Sequence, residues 1–402
     1  MEPRRYVDHA ATTPARREVV EAMRPYFSEF GFNPSSAHTE GRAARAALDR
    51  ARASVAAVLG ARPREIVFTA GGSEADNLAV LGVARAQRGA GRRIVTVATE
   101  HRAVLHAVEL LRDEGYAVSV LPVDENGALD PADFEAALGA GTVLASVMLA
   151  NNELGTLQPI PALARIAHEH QTIFHSDGVQ APGRVPLDVD DLGVDLLSLS
   201  AHKFYGPKGV GLLYVRSGTP LAPLIVGGEQ EAGLRAGTEN VAGAVGLAAA
   251  LELAAREQPA ESVRLRALRD RFEAGILATV EGVRVNAATG PRLPNVSSLA
   301  FAAVDGVTLA IRLDLAGVAV STGSACAAGS IEPSHVIAAI GGPAWAARGT
   351  VRFSFGKLST EQDVDALLGM LPTILASLRE PAALVGTIGR SPSNAGPHGG
   401  TN

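Results

Sequence analysis

The chain has 402 residues, of which 47% are hydrophobic and 19% are charged. This composition supplies a large apolar core and excludes a disordered or fibrous protein. The net charge of −6 argues against binding to nucleic acid, because a phosphate backbone requires a basic protein face. The apolar run at residues 241–251 is too short to cross a bilayer, so we expect no membrane association.

The single cysteine, Cys326, excludes an intramolecular disulfide and therefore the small secreted folds that depend on disulfides. Residues 1–6 lack the apolar run of a signal peptide. We therefore expect a cytoplasmic protein. The sequence predicts no metal site.

Short apolar segments alternate with helical patterns over the first two thirds of the chain. Helical periodicity is clear at residues 73–86 and 102–112. The segment 143–148 is apolar on both faces, as expected for a strand that helices cover on both sides. This alternation predicts an α/β fold with a mostly parallel sheet, in which ligands gather at the carboxyl ends of the strands. The predicted strands are 66–69, 94–98, 117–121, 143–149, 172–175, 196–200 and 210–215.

The pattern changes after about residue 250. A long helix is predicted at 261–279, and two short strands are predicted near 297–302 and 350–355. These elements indicate a smaller α+β domain. We predict a large domain over 1–255, whose N-terminal segment packs on the small domain, a small domain over 256–385 and a disordered tail over 386–402, which is rich in Ser, Pro, Gly and Asn.

A lysine, Lys203, follows the apolar strand predicted at 196–200. A buried ammonium group is costly unless it is paired or used covalently, so Lys203 is a candidate for Schiff-base formation. The alternative is a surface lysine at a strand end. Ser200 and His202 lie beside it in the sequence and offer donors for a phosphate, and a glycine-rich turn follows.

Polar residues also follow four other predicted strands. Asp177 is placed to hold a proton on the pyridine nitrogen of pyridoxal 5′-phosphate (PLP), or to form a simple Asp-Gly turn. Ser73 follows two glycines at the start of a helix, which is an anion site or a helix cap. His101 and Asn152 are candidates for ring stacking and amide hydrogen bonding, or are capping and loop residues. Together these clusters lie at one edge of one predicted sheet.

In this order and spacing, the clusters resemble the class V aminotransferases, which are PLP enzymes of fold type I, and within them the cysteine desulfurases of the NifS/IscS type. The resemblance covers nearly the whole chain and implies a large domain with a mostly parallel seven-stranded sheet and a smaller α+β C-terminal domain. The further motifs that carry it are residues 6–14, 33–38, 41–42, 230–240, 324–326 and 352–356.

The resemblance implies a role for each matching residue. Lys203 carries PLP as a Schiff base, Asp177 pairs with the pyridine nitrogen, and Gln180 donates to the phenolic oxygen. His101 stacks on the ring and handles protons near the substrate thiol. Phosphate binding is implied for Ser73, Ser200, His202 and Thr238 of the partner subunit. Cofactor binding is also implied for Gly72 and Asn152, and binding of the substrate carboxylate for Asn152 and Arg352.

The chain departs from the family pattern at a few positions. Residues 31–33 read Gly-Phe-Asn where the family usually has glycine directly before the asparagine, and Ser73 replaces a threonine but keeps a hydroxyl group. Glu229 stands where glycine is common, in a loop that the family uses at its dimer interface. The resemblance implies a homodimer all the same.

Cys326 distinguishes a desulfurase from an ordinary aminotransferase. A lone cysteine among alanines is otherwise an inert buried residue. Here residues 321–330 form a segment of small residues that matches the family's nucleophile loop. The implied reaction converts L-cysteine to L-alanine and leaves a persulfide on Cys326, from which a sulfur-acceptor protein, such as an iron-sulfur scaffold or a thiolation protein, takes the sulfur. The alternatives are an aminotransferase or selenocysteine lyase of the same family, and a noncatalytic protein with this fold.

Overall fold

The computed structural model describes residues 4–323 and 334–379. The tail predicted at 386–402 lies outside these ranges. Within them the strands are β1 (Arg5–Tyr6), β2 (Ile66–Thr69), β3 (Arg93–Val97), β4 (Ala117–Leu121), β5 (Thr142–Ser146), β6 (Ile173–Asp177), β7 (Leu196–Ser200), β8 (Gly211–Val215), β9 (Val283–Val285), β10 (Val296–Phe301), β11 (Val318–Ala319) and β12 (Thr350–Ser354).

The α-helices of the described ranges alternate with these strands. They are α1 (Arg17–Met23), α2 (Thr39–Leu59), α3 (Gly72–Ala86), α4 (Arg102–Asp113), α5 (Pro131–Ala137), α6 (Ile160–Glu169), α7 (Val189–Leu192), α8 (Val241–Thr279), α9 (Gly306–Leu315), α10 (His335–Ala339), α11 (Ala344–Gly349) and α12 (Glu361–Arg379). In the part of the chain that the structure describes, no helix has the length and apolar character that a membrane span requires.

The main sheet has seven strands in the order β2-β8-β7-β6-β5-β3-β4. The pairs from β7 to β4 are parallel, and only β8 runs antiparallel to its neighbours. The predicted mostly parallel sheet is therefore confirmed. The strand predicted at 143–149 ends at Ser146 in the structure. The amides of Val147 and Leu149 still bond to carbonyl oxygens of β6, whereas the Met148 amide bonds to the Glu100 side chain.

Alternate residues of the main-sheet strands enter two different cores, as the two-residue period of a strand requires. Ile94 and Leu196 pack on the side of α3 and α4. Val95 and Leu197 pack on the other side, with residues of α2, α6 and the first half of α8. Helices thus cover both faces, which explains why these strands lack the alternation of polar and apolar residues.

A second sheet, with the order β12-β10-β9, is antiparallel. It shares a core with α12 and the second half of α8, and the N-terminal segment joins this core through Val7. The short strand β1 pairs with β11 in the same region. A single helix, α8, runs through the domain boundary predicted after residue 255, with Pro259 inside it, so the division of the chain there stays a prediction.

Candidate active site

A cavity of about 210 Å³ opens at the carboxyl ends of the main-sheet strands, between them and β12 of the second sheet. Every residue that the sequence predicts for the site lines this cavity except Thr238 and Cys326. The predicted residues around it are Gly72, Ser73, His101, Asn152, Asp177, Gln180, Ser200, His202, Lys203 and Arg352.

Lys203 follows β7 directly, in a short 3₁₀ turn over Ala201–Lys203. Its Nζ donates hydrogen bonds to the carbonyl oxygens of Ala10 and Ala11, at 2.9 and 2.8 Å. Burial lowers the pKa of Lys203 to about 8, and the positive charges of Arg352 and Arg184 act in the same direction. A lysine with a lowered pKa carries a larger fraction of the neutral, nucleophilic amine at neutral pH.

Asp177 is the last residue of β6 and is buried. Its Oδ1 accepts a hydrogen bond from the amide of Val179 at 2.9 Å, so the turn predicted as the alternative role exists together with the position in the cavity. Burial raises the pKa of Asp177, and the nearby charges of His101 and Lys203 oppose that increase. A buried carboxylate of this kind is a strong partner for a protonated ring nitrogen.

His101 is the N-cap of α4. Its Nδ1 accepts a hydrogen bond from the amide of Ala103 at 3.2 Å, which fixes the plane of the ring against the helix. Burial lowers the pKa of His101. The imidazole is therefore neutral and held at a fixed angle on the cavity wall, which suits stacking on a flat ring.

The start of α3 forms one end of the cavity. The first amides of a helix have no partner within the helix and attract anions. A Cβ atom added to Gly72 would lie 2.9 Å from Cγ2 of Val179 and 3.3 Å from Cβ of Ser200, so only glycine lets the three segments meet here. A second, more open cavity of about 500 Å³ shares Ser73, Ser200 and His202 and adds Lys208.

His202 contributes a neutral ring to this end of the cavity. Burial lowers the pKa of His202 to about 4, and the charges of Lys203 and Lys208 add to the effect. Its Nδ1 lies 3.0 Å from Oγ1 of Thr12. Helix amides, hydroxyl groups and a lysine surround a space suited to a phosphate group.

Arg352, on β12, is buried on the opposite wall. One Nη atom donates to the carbonyl oxygen of Asn152 and the other to Oδ1 of Asp8, both at 2.8 Å. Its Nε is buried and has no hydrogen-bond partner among the described residues. Because each Nη atom carries two protons, the guanidinium keeps further N–H groups for a ligand carboxylate.

Sequence reasoning missed several contributors. Asp8 pairs with Arg352, and the first residues after it supply the carbonyl oxygens that hold Lys203. The sequence predicts that the N-terminal segment packs on the small domain, but nothing in the motif indicates which individual residues it contacts. Asp76 and Glu100 are buried carboxyls near Asp177, and burial raises the pKa of each. The sequence gives no sign that Asp76, inside a helix, and Glu100, after a strand, are buried.

Three further predicted residues differ in their placement. Gln180 lines the cavity, and its Nε2 donates to the carbonyl oxygen of Ala10 at 3.0 Å, which leaves its second proton for a ligand. Thr238 is exposed, outside the cavity lining that the described residues form. Cys326 lies outside the described residues.

The residues around the cavity fit PLP. The cavity is lined by a lysine amine with a lowered pKa, a buried carboxyl group and a flat neutral ring. It also contains the N-terminus of a helix whose first residue, Gly72, packs closely against Val179 and Ser200. These groups match, in chemical type, the aldehyde, pyridine nitrogen, ring face and phosphate of the cofactor.

The chain is similar to known proteins over most of its length. The chain is 49% identical over 374 residues to the cysteine desulfurase IscS of Dictyoglomus turgidum. The aligned region covers 93% of this chain and 95% of that protein. A solved NifS-like protein superposes with a TM-score of 0.88 at 38% identity, over 93% of this chain and 100% of that one. The structure of SspA in complex with cysteine superposes with a TM-score of 0.77 at 38% identity, over 87% of this chain and 98% of that one.

The family described as aminotransferase class V matches residues 5–367 of the sequence. The match includes both sheets and every residue of the cavity wall. PLP is the cofactor of this family, in agreement with the groups around the cavity. The chain is a member of the class V aminotransferase family.

Proposed function

We propose that the protein is a PLP-dependent cysteine desulfurase that converts L-cysteine to L-alanine and transfers the sulfur to Cys326. The observation that carries the proposal is the meeting of Lys203, Asp177 and Arg352 around one cavity, in a chain whose relatives are named cysteine desulfurases. Bound PLP supplies an electron sink for the carbon skeleton of the substrate.

The residues around the cavity bind the substrate, transfer its proton and hold the cofactor in place. Arg352 binds the substrate carboxylate through its free N–H groups, and Asn152 lies beside it on the cavity wall. Lys203 accepts and returns the α-proton of the substrate once its amine is free. Asp177 keeps the ring nitrogen protonated, and His101 holds the plane of the ring.

The sulfur step requires a thiolate. The sulfur atom of Cys326 attacks the sulfur of the substrate, the new S–S bond forms, and the bond between that sulfur and Cβ breaks with its electron pair left on carbon. Protonation of the carbon skeleton then yields alanine. The persulfide on Cys326 is passed to an acceptor protein, such as an iron-sulfur scaffold or a thiolation protein.

The test is alanine formation from L-cysteine by the wild-type protein and by Cys326→Ser. The serine hydroxyl is not ionised at neutral pH, so the variant should bind PLP and L-cysteine but release almost no alanine. Persulfide on the wild-type protein, detected by mass spectrometry, should match the alanine formed in the first turnover. Alanine release by Cys326→Ser at the wild-type rate would exclude an essential persulfide on Cys326 and favour a lyase. A keto acid in place of alanine would favour an aminotransferase.

The proposal includes a homodimer in which Thr238 of one subunit contacts the phosphate of the other. It is supported by the exposure of Thr238 and by two exposed apolar residues on the same stretch of chain, Ile225 at 42% and Val226 at 79%. The cytoplasm remains the predicted compartment, because the chain has one cysteine and forms no internal disulfide.

Mixed dimers test the shared site. Lys203→Ala and Thr238→Ala subunits are each expected to have low activity alone. In a mixed dimer, one site combines Lys203 of one subunit with Thr238 of the other, so activity should return after subunit exchange. If mixing restores nothing while sedimentation shows dimers, Thr238 does not act across the interface.

A further inference from the structure

A buried ion pair fixes the loop of residues 225–238. Oε2 and Oε1 of Glu231, in this loop, accept hydrogen bonds from the two Nη atoms of Arg52, on α2, at 2.8 and 2.7 Å. The side chains of Glu231 and Arg52 are only 2% and 13% exposed. Such a pair is costly to break, because removal of one partner leaves a buried charge without compensation.

The ion pair is joined to the edge of the main sheet. β2 is the edge strand, so one side of its backbone has no neighbouring strand in the described part of the chain. Oε2 of Glu231 accepts a hydrogen bond from the amide of Phe68 at 2.9 Å, and Arg52 donates to the carbonyl oxygen of Ile66. The guanidinium also lies over the ring of Phe68, with Cζ 4.9 Å from the ring centroid. The pair therefore fastens the loop to β2.

Glu231 holds an unfavourable backbone conformation. Its φ and ψ are 48° and 43°, and those of the next residue, Ala232, are 58° and 31°. This left-handed region is costly for residues other than glycine. Two such residues in succession persist only where the surrounding contacts enforce the conformation, and strain of this kind concentrates at functional sites.

Between this anchor and Thr238 the loop is closed on itself. The amide of Ala236 donates to the carbonyl oxygen of Ile225, and the amide of Gly237 donates to the side chain of Gln230, both at 3.1 Å. Gln230 directly precedes Glu231 in the sequence, and Gly237 directly precedes Thr238. The position of the exposed Thr238 therefore depends on where the loop is anchored.

A second contact joins the loop to the start of α3. Nε of Arg235 donates to Oε1 of Glu74 at 3.1 Å, and Oε2 of Glu74 accepts a hydrogen bond from the amide of Ala70 at 3.0 Å. The side chains of Arg235 and Glu74 are 25% and 21% exposed, so water weakens this pair more than the pair of Glu231. Glu231 is thus the stronger of the two anchors.

We infer that Glu231 is a positioning residue for the site of the neighbouring subunit. With Arg52 it fixes the 225–238 loop on β2, and the fixed loop presents Thr238 to the phosphate bound by the other subunit. The inference rests on the proposed homodimer, in which Thr238 acts across the interface. A preorganised loop loses less conformational entropy when its threonine meets a ligand, so it binds that ligand more tightly.

The main competing explanation is a role within the same subunit. β2 leads through Gly71 to Gly72 and Ser73 at the start of α3, so the same contacts would also support the phosphate end of the subunit's own cavity. The two explanations place the effect of a substitution in different sites of the dimer. Mixed dimers therefore distinguish them.

The first measurement is the affinity of the apoprotein for PLP, followed by the absorbance of the bound cofactor. Thr238→Ala removes a hydrogen bond to a charged group and should weaken binding about ten- to a hundredfold. Glu231→Gln should weaken binding by up to the same factor, because the neutral amide leaves Arg52 unpaired and releases the loop. The double variant should bind no more weakly than the weaker single variant, since both changes remove the same contact. Full additivity would overturn the inference.

Mixed dimers, isolated through two different affinity tags, locate the effect, and covalent PLP is counted after borohydride reduction. When Lys203→Ala subunits pair with Glu231→Gln subunits, the only site with Lys203 takes Thr238 from an intact loop, so wild-type affinity should return. When wild-type subunits pair with Lys203→Ala/Glu231→Gln subunits, that site takes Thr238 from a released loop, so binding should stay weak. The opposite pattern would place the effect of Glu231 in its own subunit, and weak binding in both mixtures would show a general structural role. Either result overturns the inference.

Glu273→Gln is the matched control. Glu273 and Arg292 also form a buried pair, in which both carboxylate oxygens accept hydrogen bonds at 3.1 Å, but they lie outside the cavity lining and the 225–238 loop. The control should lose thermal stability as Glu231→Gln does, while its affinity for PLP stays close to wild type. An equal loss of PLP affinity in the control would attribute the effect to any broken buried pair and overturn the inference.

Arg52→Lys provides a second variant in case Glu231→Gln does not fold. Lysine keeps the positive charge but lacks the fork that binds both carboxylate oxygens, so PLP affinity should fall in the same direction, with the same pattern in mixed dimers. Wild-type affinity in the folded variant overturns the inference. Wild-type affinity in Thr238→Ala would instead refute the shared site of the proposed function, and this inference with it.

Discussion

The two walls of the cavity are built in different ways. On the cofactor wall, Asp177 ends β6, and Lys203 follows β7 within one turn, so strand geometry places both. On the substrate wall, Arg352 of the second sheet meets Asp8 and Asn152, which are 344 and 200 positions away in the sequence. The backbone positions of the first wall are set by strand ends, although Ala10 and Ala11 also hold the Lys203 amine, whereas the second wall depends throughout on the packing of distant segments.

The walls also differ in charge. Buried carboxyls with raised pKa values, Asp76, Glu100 and Asp177, cluster on the cofactor wall. The substrate wall presents a guanidinium whose Nε has no partner in the described part of the chain. The difference implies that retention of PLP and recognition of the substrate carboxylate can be separated by substitution.

The largest effect is expected on the cofactor wall, from Lys203→Ala. Removal of the only amine that lines the cavity among the described residues should abolish covalent attachment of PLP and lower alanine formation at least about a thousandfold. Covalent attachment is measured by mass spectrometry after borohydride reduction. Reduced, covalently attached PLP in the variant at the wild-type stoichiometry would assign the attachment to a different residue.

The pKa of Lys203 offers a second test of the same wall. The neutral amine is the nucleophile, so the rate of covalent PLP capture by the apoprotein should rise with pH. The midpoint should lie near 8 instead of the 10.5 of an ordinary lysine. The rate of PLP capture by free Nα-acetyl-lysine, measured over the same pH range, corrects for titration of PLP itself. A midpoint above 10 would show that the lysine is not desolvated in solution.

Arg352 contributes to this shift from the other wall, because its charge lowers the pKa of Lys203. In Arg352→Gln the midpoint should therefore move upward. An unchanged midpoint would mean that the two walls are electrostatically independent, and burial together with the charge of Arg184 would then account for the lowered pKa of Lys203.

A smaller effect is expected from Arg352→Lys. Lysine keeps the positive charge but lacks the planar fork, and it cannot bond to Asn152, Asp8 and a carboxylate in the same arrangement. We expect kcat/KM for L-cysteine to fall about a hundredfold, mostly through KM, with covalent PLP unchanged. Loss of PLP in this variant would contradict the separation of the two walls.

The contrast between the walls explains what the sequence could predict. Asp177 and Lys203 were identified because a polar residue directly after a buried strand is a local pattern. The sequence predicts that the N-terminal segment packs on the small domain, but the pairing of Asp8 with Arg352 could not be predicted, because no local pattern encodes which residues of two distant segments meet. Only the second half of α8 was predicted as a helix. Residues 241–251 are mostly buried in the main core and are apolar throughout, so they show no alternation of polar and apolar faces by which a helix could be predicted.

The smallest effect is expected from Asp8→Ala. The side chain of Asp8 contacts one Nη atom of Arg352, while Asn152 still holds the other, so the guanidinium should lose orientation but stay on the wall. A charge-assisted hydrogen bond of this kind contributes about 1.5–3 kcal/mol. The loss in substrate binding should be smaller than this, because the hydrogen bond to Asn152 still orients the guanidinium. We expect KM for L-cysteine to rise about tenfold, with kcat and covalent PLP close to wild type. Asp8→Asn keeps the acceptor oxygen, so its KM for L-cysteine should lie between those of the wild type and Asp8→Ala. A larger increase in KM in Asp8→Asn than in Asp8→Ala would show that Asp8 acts through something other than the position of Arg352.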